Sequence, residues 1–538
     1  MRSEPWHDRG KMLFSLRSRV EMYEKEKAAM EGLSHKIYLE LEEPTEEDSR
    51  SSWDRIQDAL REKFGQVLPS LAVLQALYPC CEDSGWKITV SLAYSEQGWR
   101  AVRLEPGNTA DHHYGYCADL GSTTVVMRLV DCESGGSLGQ VSVNNRQIAY
   151  GADILTRIFY CKDHPEHLQE LTAAARDSFL EAMEALRRAT GIGPESCICM
   201  TVAGNAAMMH FFYGLDPFCV FASPYALRTT HFPAYDGGAL GLPVCGMVYS
   251  SPARANYLGG DIVSGVLASG LDRQEEIGVF LDIGTNGELV IGNQDFLLCG
   301  AGAAGPALEG GVVKTGMRAE QGAVSYVKLR DGVFHLTVIG GGTPRGICGS
   351  GIVDLLAELF LHGWVDIRGK FLPEISEKIQ WREPEQEWAV EYAPGLWFYQ
   401  SDITEFIKTK AAAHTMVEYL MRQIGLTMDD IGHFHVAGAF GTYLDKESAV
   451  AVGLYPDIDR DRIVSEGNAS LEGAMYWLLH RRTGQRMEEI LGKMEYIQFG
   501  AVDDFLHLMV AAEALPHTDL DQYPTVKEKL RKLSGRSE

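Results

Sequence analysis

One short segment limits what this chain can fold into. Apolar residues 277–281 lead into Asp282-Ile283-Gly284-Thr285-Asn286-Gly287-Glu288, and apolar residues 289–291 follow. Two apolar runs around an Asn-Gly pair predict a β-hairpin with its tip at Thr285-Asn286-Gly287. The acid ends the first strand, and the small turn residues leave backbone N–H groups that can face an anion. An acid beside such a turn suits a hydrated Mg²⁺ that bridges protein and nucleotide.

Nearly the same arrangement occurs earlier in the chain. Asp119-Leu120-Gly121-Ser122-Thr123-Thr124 again places an acid, a glycine and hydroxyls before an apolar run, here at residues 125–130. A single Asn-Gly hairpin is usually only a turn. The second copy is what favours the nucleotide-binding interpretation.

Length and charge narrow the classes of function. The chain has 538 residues, which suffices for two large lobes and smaller modules, since domains typically span about 100–200 residues. A formal net charge of −25 argues against binding of nucleic acid or of an anionic membrane. It is compatible with a basic protein partner, but solubility alone also explains it. The start carries charges before any apolar run, and the longest uncharged stretch, 197–215, contains Asn205 and His210, so neither predicts a signal peptide or a membrane span.

The eleven cysteines are scattered along the sequence. Their odd number and lack of framework spacing predict reduced thiols in the cytoplasm. The only close pairs, Cys80-Cys81 and Cys197-Ile198-Cys199, lack the two-residue gap that zinc and iron–sulfur sites usually have. We interpret these pairs as structural.

The sequence texture predicts an α/β protein in four parts. Residues 1–35 are charged and helix-prone, and predict a peripheral helix or linker. Residues 36–110 combine short alternating strands with an amphipathic helix and predict a small α+β module. Residues 111–275 and 276–538 alternate strands and helices and predict two lobes, the second ending in a docked tail.

Two glycine-dense turns follow the second hairpin, at residues 299–311 and 340–351, and the second runs into an apolar helix at 352–361. Glycine allows backbone to lie against a ligand, and a helix N-terminus adds a dipole and free N–H groups. A tight turn with close helix packing is an equal alternative.

Three further polar positions have competing interpretations. Gln147 begins a connecting helix and Asn205 follows a buried strand, so each is a candidate for orienting a water molecule, with an ordinary polar cap as the alternative. His433 and His435 share one face of a strand, and we interpret them as structural residues rather than metal ligands. Asp402, with Glu405 three residues on, predicts the cap of a long helix.

The order of these features resembles the superfamily of actin, the heat-shock chaperone ATPases and sugar kinases. That resemblance implies two ribonuclease-H-like lobes with ATP and Mg²⁺ between them. Residues 119–124 and 282–287 would be the two phosphate loops, and residues 346–351 the adenosine loop. Residues 144–158 and 436–441 would be the paired connecting segments.

Longer motifs resemble the reductive activators of corrinoid proteins. They lie at 316–323, 346–354, 410–412 and 515–519, and the resemblance covers roughly residues 36–521. It implies an ATPase of a methyltransferase system that returns the cobalt of a corrinoid protein from Co(II) to Co(I). Closure of the lobes on ATP could favour one docked geometry, since about 5.5 kcal/mol of differential binding inverts a 1:99 population.

One family feature is missing from this sequence. Such activators usually begin with a ferredoxin-like domain that holds a [2Fe–2S] cluster on four cysteines, whereas residues 1–35 contain no cysteine. The expectation is therefore an ATPase without an iron–sulfur cluster, with the electron supplied by a separate donor protein. The sequence leaves the oligomeric state open, and a homodimer is compatible with it.

The resemblance also implies roles for particular residues. Asp119 and Asp282 would hold Mg²⁺ through water and, with Gln147 as a water-orienting candidate, place the attacking water across a cleft. The remaining candidates would contact the nucleotide through the backbone or line its pocket. They are Gly121, Ser122, Thr123, Thr124, Gly284, Thr285, Asn286, Gly287, Gly349, Ser350, Gly351 and Gly438.

Two other functions fit the same fold. A small-molecule kinase would have a polar acceptor pocket near Gly300–Gly311 and would transfer phosphate to an added acceptor. A non-enzymatic module would recognise a corrinoid protein and use ATP only as a structural ligand. A slow ATPase stimulated by a Co(II) corrinoid protein would distinguish the favoured function from both.

Overall fold

The computed structural model describes residues 31–284, 287–302, 313–497, 503–533 and 535. The chain forms two units: unit 1 contains Met1–Phe218, His231–Ser251 and Ala474–Arg486, and unit 2 contains Cys219–Thr230, Pro252–Gly473 and Met487–Glu538. The peripheral helix predicted for residues 1–35 lies almost entirely outside the described residues.

The strands of the described chain are β1 Ser34–Glu40, β2 Val67–Pro69, β3 Lys87–Ser95, β4 Gly98–Pro106, β5 Tyr114–Leu120, β6 Thr124–Asp131, β7 Ser137–Asn144, β8 Cys197–Gly204, β9 Tyr235–Asp236, β10 Met247–Ser250, β11 Gly278–Ile283, β12 Gly287–Gly292, β13 Leu297–Gly302, β14 Ala323–Arg330, β15 Val333–Val338, β16 Gly346–Ile347, β17 Ile379–Arg382, β18 Glu387–Ala393, β19 Leu396–Tyr399, β20 His433–Ala437, β21 Ile463–Gly467 and β22 Met494–Ile497. The α-helices are α1 Ser52–Phe64, α2 Leu71–Asp83, α3 Ile154–Cys161, α4 Pro165–Thr190, α5 Ala206–Phe212, α6 Phe218–Phe221, α7 Gly260–Ser269, α8 Gly349–Leu361, α9 Gln400–Gln423, α10 Gly438–Tyr443, α11 Lys446–Ala451, α12 Ala469–Leu479, α13 Thr483–Lys493, α14 Asp503–Ala512 and α15 Pro524–Leu533.

The N-terminal module of unit 1 is a four-stranded sheet in the order β1-β3-β4-β2 with helices α1 and α2. Helix α1 begins where the Ser51 side chain accepts a hydrogen bond from the Asp54 amide, and it buries Ile56 and Leu60. The 3,4,4 spacing of its apolar residues predicts this buried face. The predicted small α+β module is confirmed.

The larger sheet of unit 1 has the strand order β7-β6-β5-β8-β10-β9. Strands β5, β6 and β7 form an antiparallel meander, and β8 joins β5 in parallel. Every residue of β8 is buried, as its largely apolar sequence predicts. The long helix α4 follows the meander and ends at Gly191, which adopts the left-handed conformation that glycine tolerates.

Unit 2 repeats this topology in the order β21-β20-β11-β12-β13-β22. Strands β11, β12 and β13 form the antiparallel meander, and β20 joins β11 in parallel. Two three-stranded sheets, β15-β14-β16 and β17-β18-β19, are added to it. Each large sheet has the ribonuclease-H-like arrangement, which confirms the predicted fold class. Strands β17 to β19 lie between helices α8 and α9 in the chain.

The N-terminus of helix α9 differs from the sequence prediction in its capping residue. Tyr399 is the N-cap of helix α9, and Asp402 is the third helical residue, whose carboxylate accepts the Tyr399 amide at 2.9 Å. The prediction of Asp402 as the cap is therefore wrong, because this acid closes a capping box from inside the helix.

The predicted docking of the tail is confirmed by Leu515, Tyr523 and Val526, which are buried in the unit 2 core. No helix in the described part of the chain is long and apolar enough to cross a membrane.

Candidate functional site

The two predicted metal-binding aspartates occupy equivalent positions in the two large sheets. Asp119 of β5 lies in register with Ala203 of the parallel strand β8. Asp282 of β11 lies in register with Ala437 of the parallel strand β20. Each carboxylate thus lies near the end of the first strand of its sheet, beside an alanine of the parallel strand that is followed by a glycine.

The glycine of each Ala-Gly pair packs against the strand that carries the aspartate. A Cβ on Gly204 would lie 2.9 Å from the Leu120 carbonyl oxygen, and a Cβ on Gly438 would lie 2.9 Å from the Ile283 carbonyl oxygen. The same Gly438 Cβ would lie 3.0 Å from Oδ1 of Asp282, and Gly438 has a φ of +82°. Only glycine fits both this space and this conformation. Gly438 is among the residues that the sequence predicts for the site, while Gly204 is not, although the repeated Ala-Gly is a signal for both.

The topology corrects the pairing of the connecting segments. Residues 436–441 follow β20, the strand parallel to β11, so their counterpart in unit 1 follows β8, at residues 202–207. The predicted counterpart, residues 144–158, follows β7, the third strand of the meander. That prediction is wrong, because sequence order alone does not reveal which later strand pairs with the first. Asn205 lies in the corrected segment, where its Oδ1 accepts the Met208 amide at 2.9 Å as the N-cap of α5.

Asn145 holds the first hairpin turn. Its side-chain amide donates to the Gly121 carbonyl at 2.9 Å, and its backbone N–H donates to the Thr123 carbonyl at 2.9 Å. The Gly121 amide donates to the Thr124 carbonyl at 3.0 Å, which closes the turn. Asn145 is fully buried, while Gly121 to Thr124, including Ser122, are half-buried. Three of the turn's carbonyl groups are therefore engaged by the protein, an arrangement that suits the remaining amide groups facing an anion.

Gln147 belongs to the same hydrogen-bonded group and is fully buried. Its Oε1 accepts from the Asn145 side chain at 3.2 Å, and its Nε2 donates to the Leu171 carbonyl at 2.9 Å. In this arrangement Gln147 supports Asn145, which supports the hairpin. The orientation of water by Gln147 or by Asn205 stays a prediction.

A buried cation lies beside this group. Arg157 is fully buried; its Nε donates to the Gly151 carbonyl at 2.9 Å, and its Nη1 lies 3.6 Å from the Met208 sulfur. That sulfur also lies 3.7 Å from the Asn145 side-chain nitrogen. Nη2 of Arg157 has no hydrogen-bond partner among the described residues. Burial lowers the pKa of Arg157 to about 10, which still leaves it charged at neutral pH. A buried guanidinium with an unused N–H fits an anionic group such as phosphate.

Unit 2 places three carboxyl groups within electrostatic range of one another. Glu288 lies opposite Asp282 in the β11–β12 hairpin, and Asp261 lies in the first turn of α7. Burial, followed by the charges of Asp261 and Asp282, raises the pKa of Glu288 well above its ordinary value. A carboxyl group whose pKa is raised by burial and by two neighbouring carboxylates marks a negative environment, in which a divalent cation such as Mg²⁺ fits. The sequence analysis did not include Asp261 or Glu288 among the candidates.

The glycine-rich start of helix α8 is built largely by packing. The Ser350 hydroxyl donates to the Ser325 carbonyl at 2.8 Å, and a Cβ on Gly351 would lie 2.3 Å from the Val324 carbonyl oxygen. These contacts seat the helix on β14. The N-cap residue Cys348 provides no side-chain cap, so the first amides of this helix, from Gly349 on, are the groups that a ligand could satisfy. The contact of Gly349, Ser350 and Gly351 with a nucleotide stays a prediction.

The remaining predicted positions are quickly placed. Gly287 pairs with Ile283 in the β11–β12 hairpin, and Gly284 directly follows Ile283. Thr285, Asn286 and most of the turn at 299–311 lie outside the described residues. His435 Nδ1 lies 2.8 Å from Glu466, and His433 Nε2 lies 3.6 Å from Glu276. Both histidines thus have acidic protein partners, as a structural role requires.

Two large sheets that share one topology, each with an aspartate near the end of its first strand, define the actin-like ATPase fold. Comparison with family models matches the RACo linker region at residues 23–111, the RACo middle region at 114–274 and the C-terminal domain of RACo, the ASKHA domain, at 276–527. The chain belongs to the family of the reductive activators of corrinoid proteins.

Individual relatives agree with this assignment. The chain is 32% identical over 401 residues to the corrinoid activation enzyme RamQ of Eubacterium limosum. The matched region covers 71% of this chain and 67% of the relative. It is 25% identical over 262 residues to the [Co(II) methylated amine-specific corrinoid protein] reductase of Methanosarcina barkeri, with 45% of each chain covered. The chain is also similar to a solved structure, the reductive activator for corrinoid, iron-sulfur protein, with 33% sequence identity and a TM-score of 0.85. The match covers 93% of this chain and 84% of the chain in that structure.

Proposed function

We propose that this chain uses ATP to drive the return of a corrinoid protein from Co(II) to Co(I). The observation that carries the proposal is the 32% identity over 401 residues to a corrinoid activation enzyme. In the proposed reaction one electron passes from a donor to the cobalt, while ATP and water yield ADP and phosphate. The cobalt is the substrate centre and belongs to the partner protein.

The proposal assigns roles to the two aspartate sites. Asp119 and Asp282 each bind Mg²⁺ through water, and their hairpins bind phosphate oxygens through backbone N–H groups. The half-buried carboxyl groups of Asp261 and Glu288 and the unused N–H of Arg157 support a charged ligand of this kind. Bound Mg²⁺ supplies neutralisation of the phosphate charge during transfer. The first amides of helix α8 contact the adenosine.

The proposal assigns the electron to a separate donor protein. All eleven cysteines are free thiols, and they lack the spacing of an iron–sulfur ligand set. Burial raises the pKa of several of them, including Cys161 to about 11 and Cys199 to about 12. Protonated, buried thiols make poor metal ligands, which supports an external source of electrons.

An absorption titration tests the proposed function. Candidate corrinoid proteins in the Co(II) state are mixed anaerobically with this protein, Mg–ATP and a reductant, and the Co(II) band is followed with time. We expect conversion to Co(I) only when protein, ATP and reductant are all present, together with ADP formation that the Co(II) protein stimulates. Omission of ATP, or its replacement by a non-hydrolysable analogue, separates ATP hydrolysis from ATP binding.

Two results would contradict the proposal. Phosphorylation of an added small acceptor without any effect on cobalt would indicate the kinase. ATP-dependent complex formation with a corrinoid protein, without cobalt reduction in the presence of any donor, would indicate the binding module.

A further inference from the structure

A buried group of polar side chains in unit 2 takes no part in the proposed ATP chemistry. His414 and Glu418 lie one turn apart on helix α9, and His517 lies in the segment that follows helix α14. Ligand atoms of these three side chains all lie within 4.8 Å of one another. Nε2 of His414, Oε2 of Glu418 and Nε2 of His517 are buried and have no hydrogen-bond partner among the described residues. Three unsatisfied polar atoms that face one another are costly unless something binds them all.

We propose that His414, Glu418 and His517 form a binding site for a divalent transition-metal ion of the Zn²⁺ class. Two imidazoles and one carboxylate are a ligand set that Zn²⁺ accepts, with the fourth position taken by water. The site would fasten the C-terminal segment of the chain to helix α9.

The distances fit such an ion. His414 Nε2 and Glu418 Oε2 are 3.8 Å apart. A point equidistant from three atoms separated by 3.8–4.8 Å lies about 2.2–2.8 Å from each, and zinc bonds to imidazole nitrogen and carboxylate oxygen are about 2.0–2.2 Å. Each ligand therefore needs to move by less than about 1 Å on binding.

Neighbouring residues orient two of the ligands. His414 Nδ1 lies 3.3 Å from the Tyr523 hydroxyl, which can accept the ring proton and leave Nε2 free for the metal. The other carboxylate oxygen of Glu418 binds Arg422, which leaves Oε2 as a single ligand atom. Both arrangements are typical of residues that support a metal ligand.

Metal binding would cost His517 one hydrogen bond. Its Nδ1 accepts the Asp519 amide at 3.0 Å, which places the ring proton on Nε2 in the metal-free protein. Coordination through Nε2 moves that proton to Nδ1 and exchanges this bond for one to an acceptor. The Asp519 carboxylate acts electrostatically on the ring and is the acceptor at hand, which is the usual outer partner of a zinc-bound histidine.

The same segment is already tied to helix α9 by Lys410. This fully buried lysine donates to the carbonyls of Ala512 and Ala514, each at 2.6 Å, and to that of Pro516. His517 follows directly, so Lys410 sets the position of the third ligand. A bound cation must tolerate the nearby ammonium, which the Glu418 carboxylate offsets.

Metal analysis of the whole chain tests the site. The protein is purified without a polyhistidine tag, loaded with Zn²⁺, desalted and measured by elemental analysis and thermal unfolding. We expect one tightly held Zn²⁺ per chain, a rise in Tm of roughly 5–10 °C over the chelator-treated protein, and loss of both in Glu418→Gln. Replacement by Co²⁺ should give the visible bands of a tetrahedral site, a readout on the unmutated protein that holds even if the variant folds poorly.

A second histidine–glutamate cluster provides the matched control. His164, Glu166 and His167 of unit 1 also have ligand atoms within 4.8 Å of one another, but they are largely exposed. Nδ1 of His164 binds Glu166, and Nδ1 of His167 binds the Tyr160 carbonyl. The double variant His164→Ala/His167→Ala should keep the bound Zn²⁺. Metal lost from this control but kept by Glu418→Gln, or no metal and no Tm change after loading, would overturn the proposal.

Discussion

The carboxylate of Asp282 lies against a glycine that has no room for a side chain. Gly438 has a φ of +82°, and a Cβ there would approach both the Ile283 carbonyl and Asp282 Oδ1 within 3.0 Å. Gly438→Ala should therefore shift the aspartate and lower ATP turnover by about 10-fold or more, since small misplacements of reacting groups are costly. Steady-state ADP release measures the effect.

Gly425→Ala is the control for this variant. Gly425 also has a positive φ, of +70°, but nothing lies within 4 Å of the Cβ position. It carries a similar backbone strain of about 1 kcal/mol without crowding the site. Equal losses of turnover in the two variants would show that backbone strain, not the position of Asp282, is responsible.

The proposed metal-binding role of Asp282 predicts a loss of chemistry without a loss of fold. Asp282→Asn should lower ATP hydrolysis by at least about 100-fold, because a neutral amide holds Mg²⁺ poorly. Asp295→Asn changes an exposed aspartate in the turn between β12 and β13 of the same sheet and should hydrolyse ATP normally. Unchanged ADP production by Asp282→Asn would remove Asp282 from the site.

Residue-level prediction from the sequence is strongest where the signal is local. Asp119 and Asp282 lie near the ends of recognisable strands and Gly438 follows one, so their positions in the fold could be predicted, while their roles in the site stay predictions. Asn145 and Arg157 could not, since Asn145 reaches back 24 residues to Gly121, and the guanidinium of Arg157 is revealed only by what surrounds it.

At the scale of elements, helix α8 and strand β14 are joined by buried carboxyl groups. Asp354 Oδ2 accepts the Val327 amide at 3.2 Å, and Glu358 Oε2 accepts the Leu329 amide at 2.9 Å. Burial raises the pKa of Asp354 from 3.8 to about 6. The folded protein thus holds this proton more tightly than the unfolded chain does, so the contribution of Asp354 to stability is largest below pH 3.8 and is lost as the pH rises through about 6.

Asp354→Asn should remove this loss. The amide oxygen can still accept the Val327 N–H, while no charge forms in the buried site. We expect the Tm of the variant, relative to the unmutated protein, to rise between pH 4 and pH 7 by a few degrees, equivalent to roughly 1–2 kcal/mol. Asp111→Asn, at an exposed position, serves as the control, and a Tm difference independent of pH for Asp354→Asn would contradict the assignment.

Elements with strong periodicity could be predicted, and their pairing could not. The alternation and helical spacing of the N-terminal module, and the Gly191 stop of helix α4, are local properties. The parallel pairing of β8 with β5 and of β20 with β11 joins strands that are far apart in sequence. Sequence order alone therefore does not reveal that residues 202–207 follow the strand that pairs in parallel with β5.

At the scale of the whole molecule, we expect a protein that hydrolyses ATP but contains no iron–sulfur cluster that could donate electrons. The purified chain should contain substoichiometric iron and no visible iron–sulfur absorbance, and reductant alone should not leave it in a stable reduced state. Metal analysis and a visible spectrum of the anaerobically purified protein test this. Stoichiometric iron with a [2Fe–2S] spectrum would contradict the separate donor, while leaving the ATPase sites untouched.

The rate of Co(I) formation tests whether the aspartate sites drive cobalt reduction. A Co(II) corrinoid protein, an external reductant and Mg–ATP are combined with the unmutated chain or with Asp282→Asn, and the formation of Co(I) is followed by absorbance. We expect rapid formation of Co(I) with the unmutated chain and none above background with the variant. Equal rates with both proteins, or an equal rate without ATP, would contradict it.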